Sequence, residues 1–415
     1  MNFLHRRANR LHLEEVPLAH LAETYGTPLY VYSAGALTAA YRALEGALAG
    51  VPHRICYAVK ANPNLAVLRH FARLGAGFDI VSGGELARVL AAGADPGRVV
   101  FSGVGKSRTE MRAALEAGIH CFNIESEAEM ARLDGVAGEL GRVAPVSLRV
   151  NPDVDAKTHP YISTGLKQNK FGIPIEEAPR LYRLAAGLAH VRIVGLDCHI
   201  GSQLTELAPM ADAADRVLAL ADRLAEDGMP LAHIDLGGGL GIRYRDETPP
   251  DAAAYGALLA GRMRGRRETL LVEPGRYLVG NAGVLLTRVE YLKRGAERSF
   301  LVVDAAMNDL MRPALYDAWH AIEVADPQPE RVPVLCDVVG PVCETADFLG
   351  RERLLAAAEG DVLAILSAGA YGMSMSSTYN SRPRAAEVMV TGNEIHLIRE
   401  RDSIASLMAG ERLPV

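Results

Sequence analysis

Apolar residues along this chain follow two alternating periods. Short apolar, β-branched runs alternate with alanine- and leucine-rich segments in which apolar residues recur every three or four positions. The first pattern predicts buried strands and the second predicts amphipathic helices. Eight strand segments lie between about residue 35 and residue 280: HRICYAVK, GFDIVS, VVFSG, HCFNIES, VSLRVNP, VRIVGLDCHIG, AHIDLGGG and TLLVEPG.

This alternation predicts parallel strands joined by crossover helices, and eight units in about 250 residues match a TIM-like (β/α)8 barrel. An open doubly wound sheet would give the same alternation. We favour the barrel because polar residues and glycines recur at the C-terminal ends of the predicted strands, where barrel enzymes hold their active sites. These residues are Lys60, Asp79, Arg149, His199, Gly237–Gly239 and Glu273.

Beyond residue 280 the pattern changes to strands without long helices between them. The segments are VLLTRVEYLKRG, RSFLVVDAA, VPVLCDVVG, DVLAILSAGAYG and AAEVMVTGNEIHLIRER. They predict a mostly β C-terminal domain. Residues 1–34 end in the strand-like run PLYVYS. We therefore expect an α/β chain with a barrel over residues 35–280 and a β-rich domain built from residues 1–34 and 281–415.

Composition narrows the class of protein. The 415 residues are 49% hydrophobic, which is enough for a large core, and the net charge of −6 gives no support for nucleic-acid binding. Five cysteines without a CxxC pair argue against a disulfide framework and a zinc site, so we expect no metal. The N-terminus lacks the apolar region of a signal peptide, and no apolar stretch is long enough for a membrane span. The expected location is the cytoplasm.

The segment YAVKANPN, residues 57–64, places one lysine at the end of a predicted strand. Asn62 and Pro63 break the strand directly after Lys60. A lysine amine in a partly apolar pocket can have a lowered pKa and can bond covalently to an aldehyde such as pyridoxal phosphate. The alternative is a lysine that closes the strand and faces water.

The segment HIGSQ follows the strand VRIVGLDC. The imidazole of His199 can stack on a flat aromatic ring, and Gly201 and Ser202 can donate hydrogen bonds to a phosphate. The alternative is a core histidine with satisfied hydrogen bonds.

Glycine-rich segments suggest an anion site but not a nucleotide fold. The segment DLGGGLGI, residues 235–242, allows backbone N–H groups to approach an anion closely. The third glycine of the Rossmann fingerprint would fall at Ile242. The P-loop resemblance of SGVGKS, residues 102–107, fails because its first glycine would fall at Val100. We reject both nucleotide interpretations.

The segment EPGRY ends the last predicted barrel strand. Glu273 is the type of group that pairs with a protonated pyridine nitrogen and keeps the ring an electron sink. Gly275 and Arg276 add donors, and the Arg276 guanidinium can clamp a carboxylate. A surface turn with a capping glutamate is the alternative.

Two segments of the β-rich domain are candidates for the same site. In CETADFL, Cys343 lies beside an acid, and an exposed thiol there can donate a proton, although most cysteines are inert. The segment GAYGMSMSSTYNSRPR, residues 369–384, is typical of a mobile or ligand-contacting loop.

Nine motifs occur together in family order. The chain resembles the fold-type III pyridoxal-phosphate decarboxylases of the ornithine/diaminopimelate/arginine decarboxylase family, and within them the diaminopimelate decarboxylases. The resemblance runs from about Tyr25 to Arg384. Its motifs are YAVKANPN, FDIVSGGEL, KTHPYISTGLKQNKFGI at 157–173, HIGSQ, DLGGGLGI, EPGR, MNDLMRPALY at 307–316, CETADFL and GAYGMSMSSTYNSRPR.

The resemblance implies an alanine racemase-like barrel that binds pyridoxal phosphate, a β domain that completes the active site, and a homodimer with shared sites. It implies decarboxylation of meso-2,6-diaminoheptanedioate to L-lysine and carbon dioxide, the last step of lysine biosynthesis. No nucleic acid or membrane partner is expected. A loop around His159 to Lys170 is a candidate to close over the substrate.

The resemblance also implies individual roles. The catalytic residues would be Lys60, which carries the cofactor, and Cys343, which returns a proton and comes with Glu344 from the second subunit. Cofactor contacts would come from Lys60, Asp79, Arg149, His199, Ser202, Gly238, Gly239, Glu273, Gly275, Arg276 and Tyr371. Substrate contacts would come from Arg276, Arg312, Tyr316, Glu344 and Tyr371.

Three other functions fit parts of the pattern. A related decarboxylase acting on D-lysine, D-ornithine, ornithine, arginine or carboxynorspermidine would leave Arg276 and Arg312 without a distal carboxylate in most cases. In a racemase on the same barrel, a cationic side chain would lie against the ring nitrogen. Glu273 is an acid at that position and argues against a racemase. A non-catalytic regulator would have lost Lys60 or Cys343, and both are present.

Overall fold

The computed structural model describes residues 3–155 and 170–414. Most of the expected substrate-closing loop, His159 to Lys170, lies outside these residues. The chain forms two compact units: Met1–Ala39 with Tyr244–Asp246 and Val279–Val415, and Ala40–Arg243 with Glu247–Leu278. We call them the β-rich unit and the barrel unit. None of the helices in the described ranges combines the length and apolar composition needed to cross a membrane.

The first elements belong mainly to the β-rich unit. They are β1 (Leu4–Arg7), β2 (Arg10–Leu13), β3 (Val16–Pro17), α1 (Leu18–Tyr25), β4 (Leu29–Ser33) and α2 (Ala34–Leu48). Strands β1 to β3 form a separate three-stranded antiparallel sheet. The predicted strand PLYVYS is confirmed as β4, and all five of its residues are buried.

Strands and helices then alternate through the barrel unit. The elements are β5 (His53–Ala58), α3 (Leu65–Leu74), β6 (Gly77–Ile80), α4 (Gly83–Ala91), β7 (Val99–Phe101), α5 (Arg108–Ala117), β8 (Cys121–Ile124), α6 (Glu127–Glu139), β9 (Ala144–Asn151), β10 (Ile173–Pro174), α7 (Ala178–Ala186), β11 (Val191–Cys198), α8 (Ala208–Glu226), β12 (His233–Asp235), α9 (Ala252–Met263) and β13 (Thr269–Val272).

Eight of these strands close into a parallel barrel. Strands β5 to β9 pair in order, β9 pairs with β11, and β11, β12 and β13 continue to β5, which closes the ring. The short strand β10 adds only to β9. All eight predicted barrel strands are confirmed, and the open doubly wound sheet is excluded because β13 and β5 are hydrogen-bonded neighbours.

The local sequence explains why these elements form. Strands such as β7 and β8 are buried at every position, as expected where helices cover the outside of a parallel sheet. Helix α5 begins with a capping box between Ser107 and Glu110 and ends at Gly118, whose left-handed conformation terminates the helix. Helix α3 has the same plan, with Asn64 as its N-cap and Gly75 at its C-terminus.

The remaining elements complete the β-rich unit. They are α10 (Arg276–Val279), β14 (Gly283–Lys293), β15 (Phe300–Val303), α11 (Arg312–Tyr316), β16 (Ile322–Val324), β17 (Val334–Val339), β18 (Phe348–Leu355), β19 (Val362–Ile365), β20 (Ala386–Thr391), β21 (Glu394–Arg399) and α12 (Ile404–Met408).

A nine-stranded sheet organises this unit. Its main path runs β18-β17-β15-β14-β4-β20-β21, and β19 joins β14 to β16. Strand β4, from the N-terminal segment, lies between β14 and β20. The five strand-forming segments predicted beyond residue 280 are confirmed, whereas β16 and β18 were not predicted. Strand β18 alternates poorly, since its sequence FLGRERLL carries three charges in the middle.

Candidate active site

The predicted cofactor-binding residues of the barrel unit lie at one end of the barrel. In a closed parallel barrel, the C-terminal ends of all strands meet on a single face. Six predicted residues lie at or directly after these ends: Lys60 after β5, Asp79 in β6, Arg149 in β9, His199 after β11, Gly238 after β12 and Glu273 after β13. The structure therefore brings together residues that are far apart in the sequence.

Lys60 is held by a buried carboxylate. Its Nζ lies 3.0 Å from Oδ2 of Asp79, whose side chain is fully buried. Oδ1 of Asp79 has no hydrogen-bond partner among the described residues. The charge-assisted hydrogen bond fixes the direction of the amine, while the side chain of Lys60 remains 37% exposed. The amine is therefore both oriented and accessible.

The backbone at Lys60 differs from the prediction. The predicted strand reached Val59, but β5 ends at Ala58, and Lys60 lies in a 3-10 turn, Val59–Ala61. The Asn62 N–H donates to the carbonyl of Val59 and closes the turn. The chain therefore bends before the lysine, not after it.

His199 is a neutral imidazole. The N–H of Gly238 donates to its Nδ1 at 3.1 Å, so this nitrogen carries no proton. Burial lowers the pKa of His199 well below its ordinary value, and the positive charges of Arg149 and Lys60 lower it further. The neighbouring Gly237 has a φ of +66°, and a Cβ there would lie 2.8 Å from Nδ1. The ring is thus held in one tautomer and fits the predicted role of stacking on an aromatic group.

Glycines bring three loops of the barrel end close together. A Cβ on Gly238 would lie 2.1 Å from the carbonyl oxygen of Glu273, and one on Gly239, where φ is +106°, would lie 2.6 Å from that of Gly201. A Cβ on Gly275 would lie 3.1 Å from the side chains of Ala58 and Ala61. This close packing of backbone on backbone suits a phosphate cradle lined by N–H groups.

Side-chain donors lie in the same place. Nη2 and Nε of Arg276 donate to Oγ of Ser202 at 3.0 and 3.3 Å. Arg276 is buried, and Ser202 is half-buried. A guanidinium, a hydroxyl and the glycine loops together match the donor set that a phosphate needs. Together with Lys60 and Glu273, they fit pyridoxal phosphate.

Arg149 links two acidic residues at the barrel end. Its Nη1 lies 3.1 Å from Oε1 of Glu125, and its Nε lies 3.9 Å from Oδ2 of Asp197. The guanidinium also lies 5.0 Å from the ring centroid of Phe171. Arg149 therefore places a fixed positive charge in the site, as the predicted role beside the cofactor requires.

Glu273 belongs to a trio of buried carboxyl groups. Carboxylate oxygens of Asp197, Asp235 and Glu273 lie within 4.8 Å of one another. Burial raises the pKa of all three carboxyl groups. Repulsion from Asp235 raises the pKa of Asp197 and Glu273 further, whereas a hydrogen bond with Glu273 lowers the pKa of Asp235. For Glu273, Asp79 adds to this repulsion, and Lys60 opposes it. The raised pKa values give this trio a high proton affinity, which suits a group that must share a proton with a ring nitrogen.

Sequence reasoning missed Asp197 and Asp235 as members of this site. Each ends a barrel strand, β11 and β12, so the signal that singled out Asp79 applied to them as well. Asn123, at the end of β8, was also missed; its Nδ2 lies 3.5 Å from Oε1 of Glu273 and 3.1 Å from Oγ of Ser102. The polar shell around Glu273 is therefore wider than predicted.

The trio predicts a pH dependence of stability. Because the folded apoenzyme binds these protons more tightly than the unfolded chain, its free energy of unfolding falls as pH rises above about 4, the ordinary carboxyl pKa. Asp235→Asn removes one such group and is expected to flatten this fall. Thermal midpoints of the apoenzyme at about pH 5 and about pH 8 measure it. Glu226→Gln, at an exposed position, is the control; an unchanged slope for Asp235→Asn would contradict the prediction.

The rejected P-loop segment has a structural role. Lys106 is buried, and its Nζ donates to Oε1 of Glu129 and to the carbonyls of Gly103 and Asn123, each at 2.7 Å. All three ammonium protons are thus used within the protein. Lys106 ties the loop after β7 to helix α6, and none of its donors is left for a phosphate.

Two of the predicted substrate residues of the β-rich unit, Arg312 and Tyr316, start and end one short helix, α11. Arg312 is buried; its Nη1 lies 3.0 Å from Nε2 of His320, and its guanidinium lies 4.5 Å from the ring centroid of Tyr244. His320 contacts the carbonyl of Leu366 through Nδ1 at 2.8 Å. Because Nδ1 carries the proton and donates it to this carbonyl, Nε2 carries no proton and accepts the hydrogen bond from Arg312. Tyr316, at the end of α11, is half-buried.

Cys343 and Glu344 are exposed on the loop before β18. The N–H of Cys343 donates to Oδ1 of Asn380 at 2.7 Å, which ties this loop to the segment 369–384. In that segment, Tyr371 has a φ of +55°. A bulky residue in the left-handed region is uncommon and is found where function requires a special backbone. The segment otherwise contains two 3-10 turns, Met373–Met375 and Tyr379–Ser381.

Comparisons with known proteins agree with this geometry. Residues 34–280 match the family profile of the pyridoxal-dependent decarboxylases, pyridoxal binding domain. A diaminopimelate decarboxylase from Pseudomonas aeruginosa is 61% identical over 98% of both chains, and one from Vibrio cholerae is 57% identical over 99% of this chain and 98% of its own. The crystal structure of diaminopimelate decarboxylase from Helicobacter pylori complexed with L-lysine, 42% identical, covers 94% of this chain and 98% of its own, with a TM-score of 0.91.

The family profile spans the barrel that carries Lys60 and Glu273, and the relatives match nearly the full length of the chain. The sequence resemblance to this family is thereby confirmed, and so is dependence on pyridoxal phosphate. The chain belongs to the diaminopimelate decarboxylases, within the pyridoxal-dependent decarboxylase family.

Proposed function

We propose that this protein decarboxylates meso-2,6-diaminoheptanedioate to L-lysine and carbon dioxide with pyridoxal phosphate as cofactor. The observation that carries the proposal is the barrel end, where Asp79 orients the Lys60 amine and a buried Glu273 directly follows β13. The full-length similarity to diaminopimelate decarboxylases supports the choice of substrate.

The barrel unit supplies the groups that hold the cofactor. When bound, pyridoxal phosphate provides the aldehyde that captures the substrate amine and the ring that accepts the electrons of the broken carbon–carboxylate bond. Lys60 holds the cofactor covalently, and Asp79 orients its amine. Arg149 contributes the positive charge beside the ring hydroxyl. His199 offers the flat face of its neutral ring.

The phosphate is held by Ser202, Gly238, Gly239, Gly275 and Arg276. These residues provide a hydroxyl, a guanidinium and backbone N–H groups, which are the usual donors to a phosphate. Their close packing would leave little room for water around a bound phosphate. Tyr371 provides a further contact to the cofactor and the substrate.

Two groups control protons. Glu273 holds the proton at the ring nitrogen, and its carboxyl neighbours keep the proton affinity of the trio high. Keeping that nitrogen protonated stabilises the negative charge that develops when carbon dioxide leaves. Cys343, an exposed thiol, then donates a proton to the carbon that lost its carboxylate.

Substrate specificity rests on charge pairing. Arg276, Arg312 and Tyr316 hold the distal carboxylate, and Glu344 meets the distal ammonium. Arg312 supports this role because its guanidinium is a buried positive charge of the β-rich unit. A distal carboxylate would form a charge-assisted hydrogen bond with it, which a substrate without that carboxylate cannot form.

Carbon dioxide release by the purified holoenzyme tests the proposal. We expect release from meso-2,6-diaminoheptanedioate, with L-lysine as product, and little from D-lysine, L-lysine, L-ornithine or L-arginine. Equal release from a substrate without a distal carboxylate would overturn the roles of Arg312 and Tyr316. Absence of release from every substrate, with the cofactor bound, would overturn the activity itself.

We also propose how the chain is organised. A barrel over residues 35–280 binds the cofactor, and a β-rich domain from residues 1–34 and 281–415 completes the active site. Two chains form a homodimer in which Cys343 and Glu344 serve the site of the other subunit. The exposure of both residues supports this sharing. The reducing cytoplasm is the proposed compartment, in keeping with five unpaired thiols.

Subunit sharing predicts complementation between two inactive variants. Lys60→Ala and Cys343→Ala chains, mixed at equal amounts under conditions that exchange subunits, would form heterodimers with one intact site. The mixture should recover up to about a quarter of the wild-type rate, because half of random dimers are heterodimers. Decarboxylation before and after mixing measures this. A mixture no more active than the average of its components would show that Lys60 and Cys343 act within one chain.

A further inference from the structure

A pocket in the β-rich unit lies outside the residues assigned above. It has a volume of about 460 Å³ and is lined by the end of α11 and the residues after it, by strand β18 and by one residue of the 244–246 segment. The lining includes Trp319, Arg245, Arg351 and Arg353. None of these residues has a role in the proposed reaction, so the pocket needs its own explanation.

Two guanidinium groups face the same indole. The Arg353 guanidinium carbon lies 4.4 Å from the ring centroid of Trp319, and that of Arg245 lies 5.7 Å away. A third arginine, Arg351, lies 3.6 Å from the ring centroid of Phe348 on the same wall. Stacking on the aromatic rings holds the planar guanidinium groups in place.

Like charges are brought together here at a cost. Burial lowers the pKa of Arg353, and the neighbouring charge of Arg245 lowers it further. Nε of Arg353 is buried and has no hydrogen-bond partner among the described residues. Within the same ranges, no carboxylate forms an ion pair with Arg353. An unpaired buried donor on one guanidinium, close to a second positive charge, is unfavourable unless something else binds to it.

The backbone leaves room beside this donor. Gly350 is buried on β18, and a Cβ there would lie 2.7 Å from Nε of Arg353. Any larger residue at this position would displace the guanidinium or cover its edge. Asp317 and Glu352 also line the pocket, but the three arginines leave its lining with a net positive charge.

We propose that this pocket binds the oxyanion group, a carboxylate or a phosphate, of a small molecule. The paired arginines match the bidentate recognition of both groups, and the indole forms an apolar floor for the rest of the ligand. The volume lies in the range of small-molecule sites and exceeds what a bare ion needs. The anion neutralises the repulsion between Arg245 and Arg353 and satisfies the buried Nε.

Trp319 is a built-in reporter, since the chain has one tryptophan. The fluorescence of Trp319 in the holoenzyme would be titrated with inorganic phosphate and, separately, with succinate, against sodium chloride at matched ionic strength. We expect a saturable change with at least one of the two oxyanions and none with chloride. A response to phosphate alone assigns a phosphoryl ligand, and a response to succinate alone assigns a carboxylate.

Variants separate this pocket from the active site. Arg353→Gln should weaken the oxyanion response at least about tenfold, the usual effect of losing one charged hydrogen-bonding partner. Arg245→Gln should weaken the oxyanion response as well. Because Arg245 is exposed, this variant tests the pocket even if Arg353→Gln fails to fold. Arg294→Gln, exposed and outside the pocket, should leave it unchanged. A fluorescence response that is absent, or that survives both pocket substitutions, overturns the proposal.

Discussion

Replacing Lys60 by alanine is expected to reduce decarboxylation by roughly ten-thousand-fold or more, as for other residues that bond covalently in catalysis. The variant would lose the amine that holds the cofactor. It would also leave the buried carboxylate of Asp79 without its ammonium partner at 3.0 Å. A buried carboxylate that loses its cation is destabilising, so a lower thermal midpoint should accompany the lost activity.

Two further measurements identify the cause of this loss. Borohydride reduction of the wild-type holoenzyme followed by peptide mass analysis should place the cofactor on Lys60, and the alanine variant should release its cofactor on dialysis. Methylamine added to Lys60→Ala should restore a small part of the rate by supplying an amine. Lys293→Ala, at an exposed position in β14, is the matched control and should keep full activity. A label on another lysine would refute the assignment.

Replacing Glu273 by glutamine should reduce turnover on the order of a hundred- to a thousand-fold, the effect of losing one preorganised electrostatic partner. The amide cannot hold the ring nitrogen in its protonated form. Charge that develops when carbon dioxide leaves would then be less well stabilised. Because substrate binding does not depend on this proton, the loss should appear in kcat far more than in KM.

Companion variants make this result specific. Glu273→Asp keeps the charge on a shorter side chain and should retain more activity than the glutamine variant. Asp235→Asn alters another member of the same buried trio without removing the partner of the ring, and its loss should be much smaller. The visible absorption of the bound cofactor checks that each variant is loaded. Equal losses in Glu273→Gln and Asp235→Asn would mean that the trio acts as a unit.

The eight barrel strands were predictable because their signal is local. Apolar runs of strand length, separated by helical periods with caps such as Ser107 and Gly118, are set by neighbouring residues. Lys60 and Glu273 stood out for the same reason, since a polar residue at the end of an apolar run is visible without any contact. The motifs in family order then indicated the chemistry.

Elements decided by long-range contacts were predicted less well. Strand β18 carries charges in its middle, yet it forms because β17 provides a hydrogen-bonding edge. The turn at Lys60 is a local exception, closed by a hydrogen bond from the Asn62 N–H to the carbonyl of Val59. Neither effect leaves a regular spacing of apolar residues in the sequence from which it could be predicted.

Local patterns and motifs in the chain were enough to predict the alternation of elements, the residues at the strand ends and the family. Which of those residues lie side by side depends on how the strands pair in the folded protein. Pairing of β12 with β11 and β13 brings Glu273 close to Asp235 and Asp197. Burial raises the pKa of Glu273, and the proximity of the other two carboxyl groups raises it further. The folded β-rich unit likewise stacks Arg245 and Arg353, which are more than a hundred positions apart in the sequence, on the indole of Trp319. Charge repulsion and desolvation depend on distance in space, and a sequence records only distance along the chain.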